Sequence, residues 1–161
     1  MALVKRYIYP PNWDGTNPGD GDDVANYAYG HRRYILHLQK LWAATEDFTK
    51  LQIVDLSTMV GPSGRTALRT VIDKVEYHMF GIDATLYWET TPADVEIISF
   101  GSTGVEATGV AMGPFVDPRT ADGTDGSGDI LLTTVDGASK DVLDLKIHFR
   151  IKETERPDVN L

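Results

Sequence analysis

A ten-residue stretch near the end of the chain constrains the fold more than any other part of the sequence. From residue 143 to residue 152, apolar and polar side chains alternate without an error. Successive side chains of a β-strand point to opposite faces, so this pattern predicts a strand with one face on a core and the other in water. The apolar set is Leu143, Leu145, Ile147, Phe149 and Ile151, and the polar set is Asp144, Lys146, His148, Arg150 and Lys152.

The same period of two recurs from about residue 50 onward. It predicts strands over residues 49–56, 68–80, 82–88, 95–100 and 130–135, separated by turn signals such as Gly61-Pro62-Ser63-Gly64 and Asp136-Gly137. Seven or so short strands with turns between them predict an all-β fold. We expect an antiparallel β-sandwich or jelly roll rather than a parallel sheet.

Two segments are harder to interpret. Residues 31–45 fit an amphipathic helix and a strand about equally well, and the surrounding strands favour the strand, with a helix as the alternative. Residues 101–129 are rich in Gly, Thr and Asp and include Gly113-Pro114 and Asp117-Pro118. This composition predicts a long connection with at most one short strand near residues 105–110.

The first thirty residues differ from the rest. A short apolar stretch is followed by paired prolines and a cluster of Gly, Asp and Asn, which predicts an extended N-terminal arm plus loop over residues 1–30. Residues 31–152 would then form the β-sandwich domain, and residues 153–161 a polar C-terminal tail. Aromatic residues on an arm anchor it, either on its own domain or on a neighbour. The residues predicted to contact a partner are Tyr7, Tyr9, Pro10, Pro11 and Trp13.

Charge and composition narrow the classes of function. A chain of 161 residues is about the length of one domain. Its formal charge of −9 argues against a general nucleic-acid binder or a protein of anionic membranes, since both need a dense positive field. The sequence contains no cysteine, which excludes disulfides, thiol catalysis and thiolate metal sites.

Motifs of catalysis are missing from the sequence. There is no Gly-x-Ser-x-Gly elbow, and the loop from Gly61 to Thr66 lacks the lysine of a phosphate cradle. His37, His78 and His148 each lie on the polar face of a predicted strand, where a histidine is usually solvated or part of an interface. We therefore expect no enzymatic activity and no cofactor.

Two carboxylate clusters and three aromatic residues invite other hypotheses. The clusters supply the oxygen ligands of Ca²⁺, but neither has the spacing of a calcium-binding loop, so ordinary turns are the favoured interpretation. Exposed aromatics of a jelly roll can bind sugars, and Trp13, Trp42 and Tyr87 are the candidates, although core or interface packing is favoured for each. The clusters are Asp14, Asn17, Asp20, Asp22 and Asp23, and Asp117, Asp122, Asp125 and Asp129.

Several strand and turn segments carry a resemblance that spans roughly residues 12–152. The segments are Asn12-Trp13-Asp14-Gly15-Thr16, Val54-Asp55-Leu56-Ser57, Gly61-Pro62-Ser63-Gly64, Ile72-Asp73-Lys74-Val75-Glu76-Tyr77 and Gly128-Asp129-Ile130-Leu131-Leu132-Thr133-Thr134. In these segments the sequence resembles a group of tailed-bacteriophage virion structural proteins.

The resemblance implies a β-sandwich component of the virion that is assembled in the host cytoplasm and has no enzymatic role. A capsid decoration or cement protein that binds the outer capsid surface and stabilises the head fits best with a small, acidic, cysteine-free chain. A neck or tail protein is the alternative, and a carbohydrate-binding module is a further one. The implied partners are the major capsid protein or another virion protein and further copies of the chain, as a dimer or trimer, with no nucleic acid and no membrane.

Overall fold

A computed structural model describes residues 2–9, 33–59, 65–101, 105–120 and 125–153. These ranges form two antiparallel β-sheets, which confirms the all-β prediction. Their single helix is a 3-10 turn, Leu56–Thr58, so no described helix is long and apolar enough to cross a membrane. The strands are β1 (Val4–Tyr9), β2 (Arg33–Leu41), β3 (Leu51–Val54), β4 (Arg69–Phe80), β5 (Asp83–Trp88), β6 (Val95–Gly101), β7 (Glu106–Val116), β8 (Ile130–Val135) and β9 (Val142–Lys152).

The strand pairs are nested within one another. The five-stranded sheet has the order β1-β2-β9-β4-β7, and the four-stranded sheet has the order β3-β8-β5-β6. Thus β5 pairs with β6, β4 with β7, β3 with β8 and β2 with β9, all antiparallel. From β2 to β9 the chain therefore runs out through four strands and returns beside itself through the next four.

Strand β9 lies at the centre of the five-stranded sheet. It pairs with β2 from Arg33 opposite Arg150 to Leu41 opposite Val142, and on its other side with the whole of β4. From residue 143 to residue 152 its apolar residues are buried and its polar residues are half-buried in strict alternation, as the sequence predicts. Burial of one face against the core fixes the register, because a slip by one residue would turn every apolar side chain outward.

The two sheets share one hydrophobic core. The ring of Tyr77 on β4 lies 4.7 Å from that of Phe100 on β6, centre to centre. The buried indole of Trp88 on β5 donates to the Thr70 hydroxyl on β4 at 3.1 Å, which satisfies its only polar atom. These contacts join the sheets through side chains from their facing sides.

Residues 4–9 belong to the five-stranded sheet. Strand β1 is its edge and pairs with β2, and Tyr7 is buried with its ring edge-on to Tyr34 at 6.0 Å. Tyr34 in turn stacks on Phe149, and its burial raises the pKa of its hydroxyl. The predicted arm thus begins as a strand on its own domain, and residues 10–32 lie outside the described residues.

The ambiguous segment, residues 31–45, contains strand β2, so the strand interpretation is correct and the helical alternative is wrong. Tyr34, Leu36 and Leu38 are buried, while Leu41 at the end of the strand is exposed. The apolar Ile35, which suggests a helix, lies on the opposite face of the sheet and is half-buried there.

Strand β7 corrects the interpretation of residues 101–129 as a connection with at most a short strand. Eleven residues, Glu106–Val116, pair with β4 and form the second edge of the five-stranded sheet. Proline is tolerated there because an edge strand has no neighbour on one side. A Cβ at Gly113 would overlap the carbonyl oxygen of Ile72. The glycine therefore allows the backbones of β7 and β4 to approach closely, whereas the sequence pattern alone indicates a loop residue.

Replacing Tyr7 with alanine should destabilise the protein, because the ring fills space against Tyr34 in the core. We expect a loss of about 3 kcal/mol in the free energy of unfolding, measured by urea denaturation. Ile8→Ala on the same strand is the control, since Ile8 is exposed and should cost about 0.5 kcal/mol or less. Equal effects of the two changes would contradict the placement of β1.

Candidate functional site

The side of the five-stranded sheet that faces away from the core is the most distinctive surface of the described structure. We call it the outer face. It is formed by the outward side chains of β1, β2, β9, β4 and β7, which alternate with the buried ones along each strand. Its central polar rows follow the register, for instance His37 opposite Lys146 and Lys146 opposite Glu76.

Three histidines of the outer face each meet a carboxylate. Nε2 of His37 lies 2.9 Å from Asp144, Nε2 of His148 lies 2.7 Å from Glu76, and Nε2 of His78 lies 2.9 Å from Glu106. An ionised carboxylate only accepts hydrogen bonds, so each Nε2 carries a proton and donates it. These pairs bridge neighbouring strands and hold the polar side chains in place.

Arginine and glutamine side chains extend this network. Nε of Arg150 donates to both carboxylate oxygens of Asp73, at 2.9 and 3.2 Å. Gln39 donates to Asp144 at 3.2 Å and accepts from Arg6 at 3.3 Å, which links three strands through one amide. The outer face is therefore an ordered polar surface that spans all five strands.

Glu76 is the titrating group that this network changes most clearly. Its hydrogen bond with His148 lowers its pKa; burial opposes this shift, and the charges of His148, Lys74 and Lys146 add to it. A lowered pKa in the folded state stabilises the fold above the ordinary glutamate value, and this contribution is lost as the pH falls through the folded-state pKa. Because Glu76 is largely solvated, the contribution to stability is small.

The outer face has the opposite charge sign to the rest of the chain. Seven basic side chains point outward from its strands against four acidic ones, counting the histidines as neutral. The whole sequence has fifteen Lys and Arg and twenty-four Asp and Glu, so eight basic and twenty acidic residues remain elsewhere. The basic set is Arg6, Arg33, Arg69, Lys74, Lys146, Arg150 and Lys152, and the acidic set is Asp73, Glu76, Glu106 and Asp144.

Exposed apolar side chains concentrate on the same face. Six large ones in the described ranges point outward from its strands, namely Ile8, Leu41, Phe80, Val110, Met112 and Val116. Met112 is the most exposed, at 70%. Scattered apolar residues on a surface are ordinary, but their concentration on one sheet, three of them on β7, is typical of a contact surface.

An open concavity of about 410 Å³ lies among these residues. Ile35 and Met112 supply apolar walls, while Arg33, Lys74 and His148 supply polar groups at the same opening. The carboxylate of Asp73 lines the same opening, so the concavity combines apolar walls with groups of both charge signs. A second concavity of about 380 Å³ lies further along the face, beside Glu76, His78 and Val110.

The residues predicted from sequence to contact a partner are only partly described. Tyr7 packs in the core of its own chain, which is one of the two anchoring modes expected for an arm aromatic. Tyr9 pairs with Ile35 through the backbone, and its side chain lies outside the described part. Pro10, Pro11 and Trp13 lie outside the described residues too. Their contacts with a partner stay a prediction.

Two of the candidate sugar platforms are also described. Trp42 is buried at 1% exposure and donates its indole N–H to the carbonyl of Glu46 at 2.7 Å, so its candidacy as an exposed platform is wrong. Trp42 directly follows β2 and lies on the same inward side as the buried Lys40, while Leu41 between them is exposed. Tyr87 is half-buried, and the ammonium of Lys50 lies 4.1 Å from its ring centre.

The described carboxylates of the second acidic cluster bind groups of their own chain. Asp117 and Arg119 form a buried ion pair at 2.9 Å, and Arg119 also donates to the carbonyls of Gly126 and Leu68. Asp129 accepts from the Leu56 amide at 2.8 Å and from Gln52 at 2.7 Å. In the described ranges no three acidic or histidine side chains converge as a metal site. The first cluster and Asp122 lie outside these ranges.

Comparisons with known protein families, with curated proteins and with solved structures find no match. The outer face is therefore interpreted from its own chemistry.

The sequence places His37, His78 and His148 on polar strand faces, which is where they lie, but it does not bring them to one sheet. Met112 was missed because residues 101–129 read as a loop.

Removing His148 should change the titration of Glu76. We expect His148→Ala to raise the pKa of Glu76 toward its ordinary value of 4.5, because the hydrogen bond that favours the carboxylate is lost. The pKa is measured by NMR from the side-chain carboxyl shift. The control is His78→Ala, which removes the partner of Glu106 instead. An unchanged Glu76 pKa in His148→Ala would contradict the pairing.

Proposed function

We propose that this protein is a structural component of a tailed-bacteriophage particle, a capsid decoration protein that attaches to the head through its outer face. The observation that carries the proposal is a surface of opposite charge sign to the rest of the chain, with exposed apolar residues, on a rigid β frame. The sequence resemblance supports the phage setting, and the chemistry of the outer face supports the proposed mode of attachment.

The frame itself is proposed to be a jelly roll. Four nested antiparallel pairs, β2 with β9, β3 with β8, β4 with β7 and β5 with β6, are what results when a long hairpin of eight strands is rolled into two sheets. In this description β1 is an added edge strand. Jelly rolls build viral capsid proteins and lectin domains, so the strand order supports a virion protein without selecting it.

Where they are described, two of the segments that carry the resemblance lie on interior strands of the sheets and one lies at the end of the edge strand β3. Residues 128–129 lead into β8, and residues 130–134 lie within it. The segment 72–77 lies within β4 and includes the outward Lys74 and Glu76. Residues 54–57 lie where β3 ends and the 3-10 turn begins. The resemblance thus falls on strands and connections that define the fold and partly on the outer face.

The outer face fits an acidic protein surface better than a nucleic acid. Four carboxylates are interleaved with the basic residues, and they would repel a phosphate backbone. A protein partner can place its acidic groups opposite the basic side chains and its apolar groups over Phe80, Val110 and Met112. The major capsid protein is the proposed partner, and many copies of a rigid domain would then reinforce the head by joining its subunits.

Alternative positions in the virion use the same surface chemistry. A neck or tail protein also needs a contact face, so the structure supports it as well as decoration. The carbohydrate-binding module is less supported, because the buried indole of Trp42 cannot stack on a sugar.

Immunogold electron microscopy separates these alternatives. Antibodies against the purified chain are applied to phage particles from a lysate in which its gene is expressed. Even labelling of the head surface is the expected result, and labelling at one vertex or on the tail would support the neck or tail alternative. Particles that carry no label, with the protein free in the lysate, would contradict a role in the virion.

A charge reversal tests the attachment surface. Lys146→Glu places a negative charge at the centre of the outer face, and we expect binding to purified particles to fall about tenfold or more, as measured by co-sedimentation. Lys140→Glu makes the same change in the exposed turn before β9 and is the matched control. Equal binding of both variants would show that the face does not attach the protein.

A further inference from the structure

Strand β7 is the least protected sheet edge of the described structure. It is eleven residues long, pairs only with β4, and carries a single charged residue, Glu106, at its first position. Natural proteins protect exposed edges with charges, bulges or short strands, because unpaired backbone N–H and C=O groups otherwise recruit another strand. β7 has two such features near its end, Pro114, which lacks an N–H, and a shift in its pairing with β4 between Met112 and Phe115, whereas the seven residues 106–112 pair regularly and carry little protection.

The other three edges are better protected. β1 is six residues long, carries Lys5 and Arg6, and has a register shift between Tyr7 and Tyr9. β3 has only four residues. β6 has Glu96 within the strand and a shift in its pairing beside it. An incoming strand would therefore find its longest regular edge on β7.

We infer that β7 pairs with β7 of a second copy of this chain, so that the two five-stranded sheets continue into one of ten strands. Two identical edge strands related by a two-fold axis are antiparallel by symmetry, and each contact then occurs twice. The same strand supplies both halves of such an interface, so no different protein is needed to form it.

The charge pattern of β7 suits pairing with itself. In an antiparallel self-pair the two Glu106 carboxylates lie at opposite ends of the ladder, because each stands at the first residue of its strand. No like charges then face each other, whereas a parallel pair would place them side by side. The remaining outward residues, from Thr108 to Val116, are uncharged and meet one another.

The exposed side chains of β7 supply the apolar part of the interface. Val110 and Met112 are 50% and 70% exposed in the single chain, and both lie at the centre of the strand. Beside a second β7 they would stand next to the same residues of the partner, within reach across a strand pair. Pairing therefore covers one side of the apolar row on β7, and it leaves the basic centre of the outer face free.

This inference does not rest on the proposed function. It concerns the purified chain, so a monomer would leave the particle proposal standing, and a dimer would not by itself support a phage role. If both hold, each dimer presents two outer faces side by side, and simultaneous binding raises the apparent affinity for a repetitive surface.

Light scattering after size exclusion tests the dimer. We expect the 161-residue chain, whose own mass is 17.8 kDa, to elute with the mass of a dimer. We expect Val110→Lys to weaken dimerisation at least tenfold, since two lysines would be brought together at the pair. Val135→Lys is the matched control, because Val135 is equally exposed, at 49%, on the last residue of β8 in the other sheet. A monomeric wild-type chain, or a dimer unaffected by Val110→Lys, overturns the inference.

Cross-linking provides a second measurement that does not depend on the lysine variant. Because the sequence has no cysteine, single changes at Thr108, Val110 and Met112 each give one thiol for a short bis-maleimide. Covalent dimers are expected for at least one of the three variants and not for Val135→Cys. Wild-type dimers without a cross-link at any of the three positions would place the interface elsewhere and overturn the inference.

Discussion

The alternation of apolar and polar residues along β9 is the constraint on which the rest of the structure depends. Its apolar side chains fill the centre of the core, and its polar side chains form the middle of the outer face. β9 pairs on both sides along its length, so its register also fixes those of β2 and β4. The same ten residues thereby place His148 beside Glu76 and Asp144 beside His37.

Stability and contact are divided between the two sides of one sheet. The inner side is apolar and continuous with the four-stranded sheet, which lets a chain without disulfides fold on packing and ladder hydrogen bonds. The outer side contributes little to that core, so it is free to carry charge of opposite sign to the rest of the chain and, in the described part of the chain, an edge strand β7 with a single charged residue. Such a division is expected where a rigid domain acts by positioning a surface.

Sequence reasoning succeeded where the local pattern of residues defines a strand. It failed where contacts with residues distant in sequence decide the conformation. The boundaries predicted for β4, β5 and β9 from period-two alternation, and for β6 and β8 from short apolar runs beside turn signals, differ from the structure by one residue or so. In β7, Gly109, Gly113 and Pro114 are residue types typical of loops. They are compatible with a strand here because β7 is an edge strand, where glycine and proline are tolerated. Tyr7 looks like part of an arm because its partner, Tyr34, is distant in sequence.

The sequence by itself determined an all-β chain without disulfides and the side of each main strand on which its histidines lie. These properties are local, because alternation and composition act within a few residues. Only the tertiary structure decided that His37, His78 and His148 share one face, that basic residues from four strands collect there, and that β7 is an edge strand of the described sheet. Strand order and register set these relations, and they arise from the packing of the whole core rather than from any one segment.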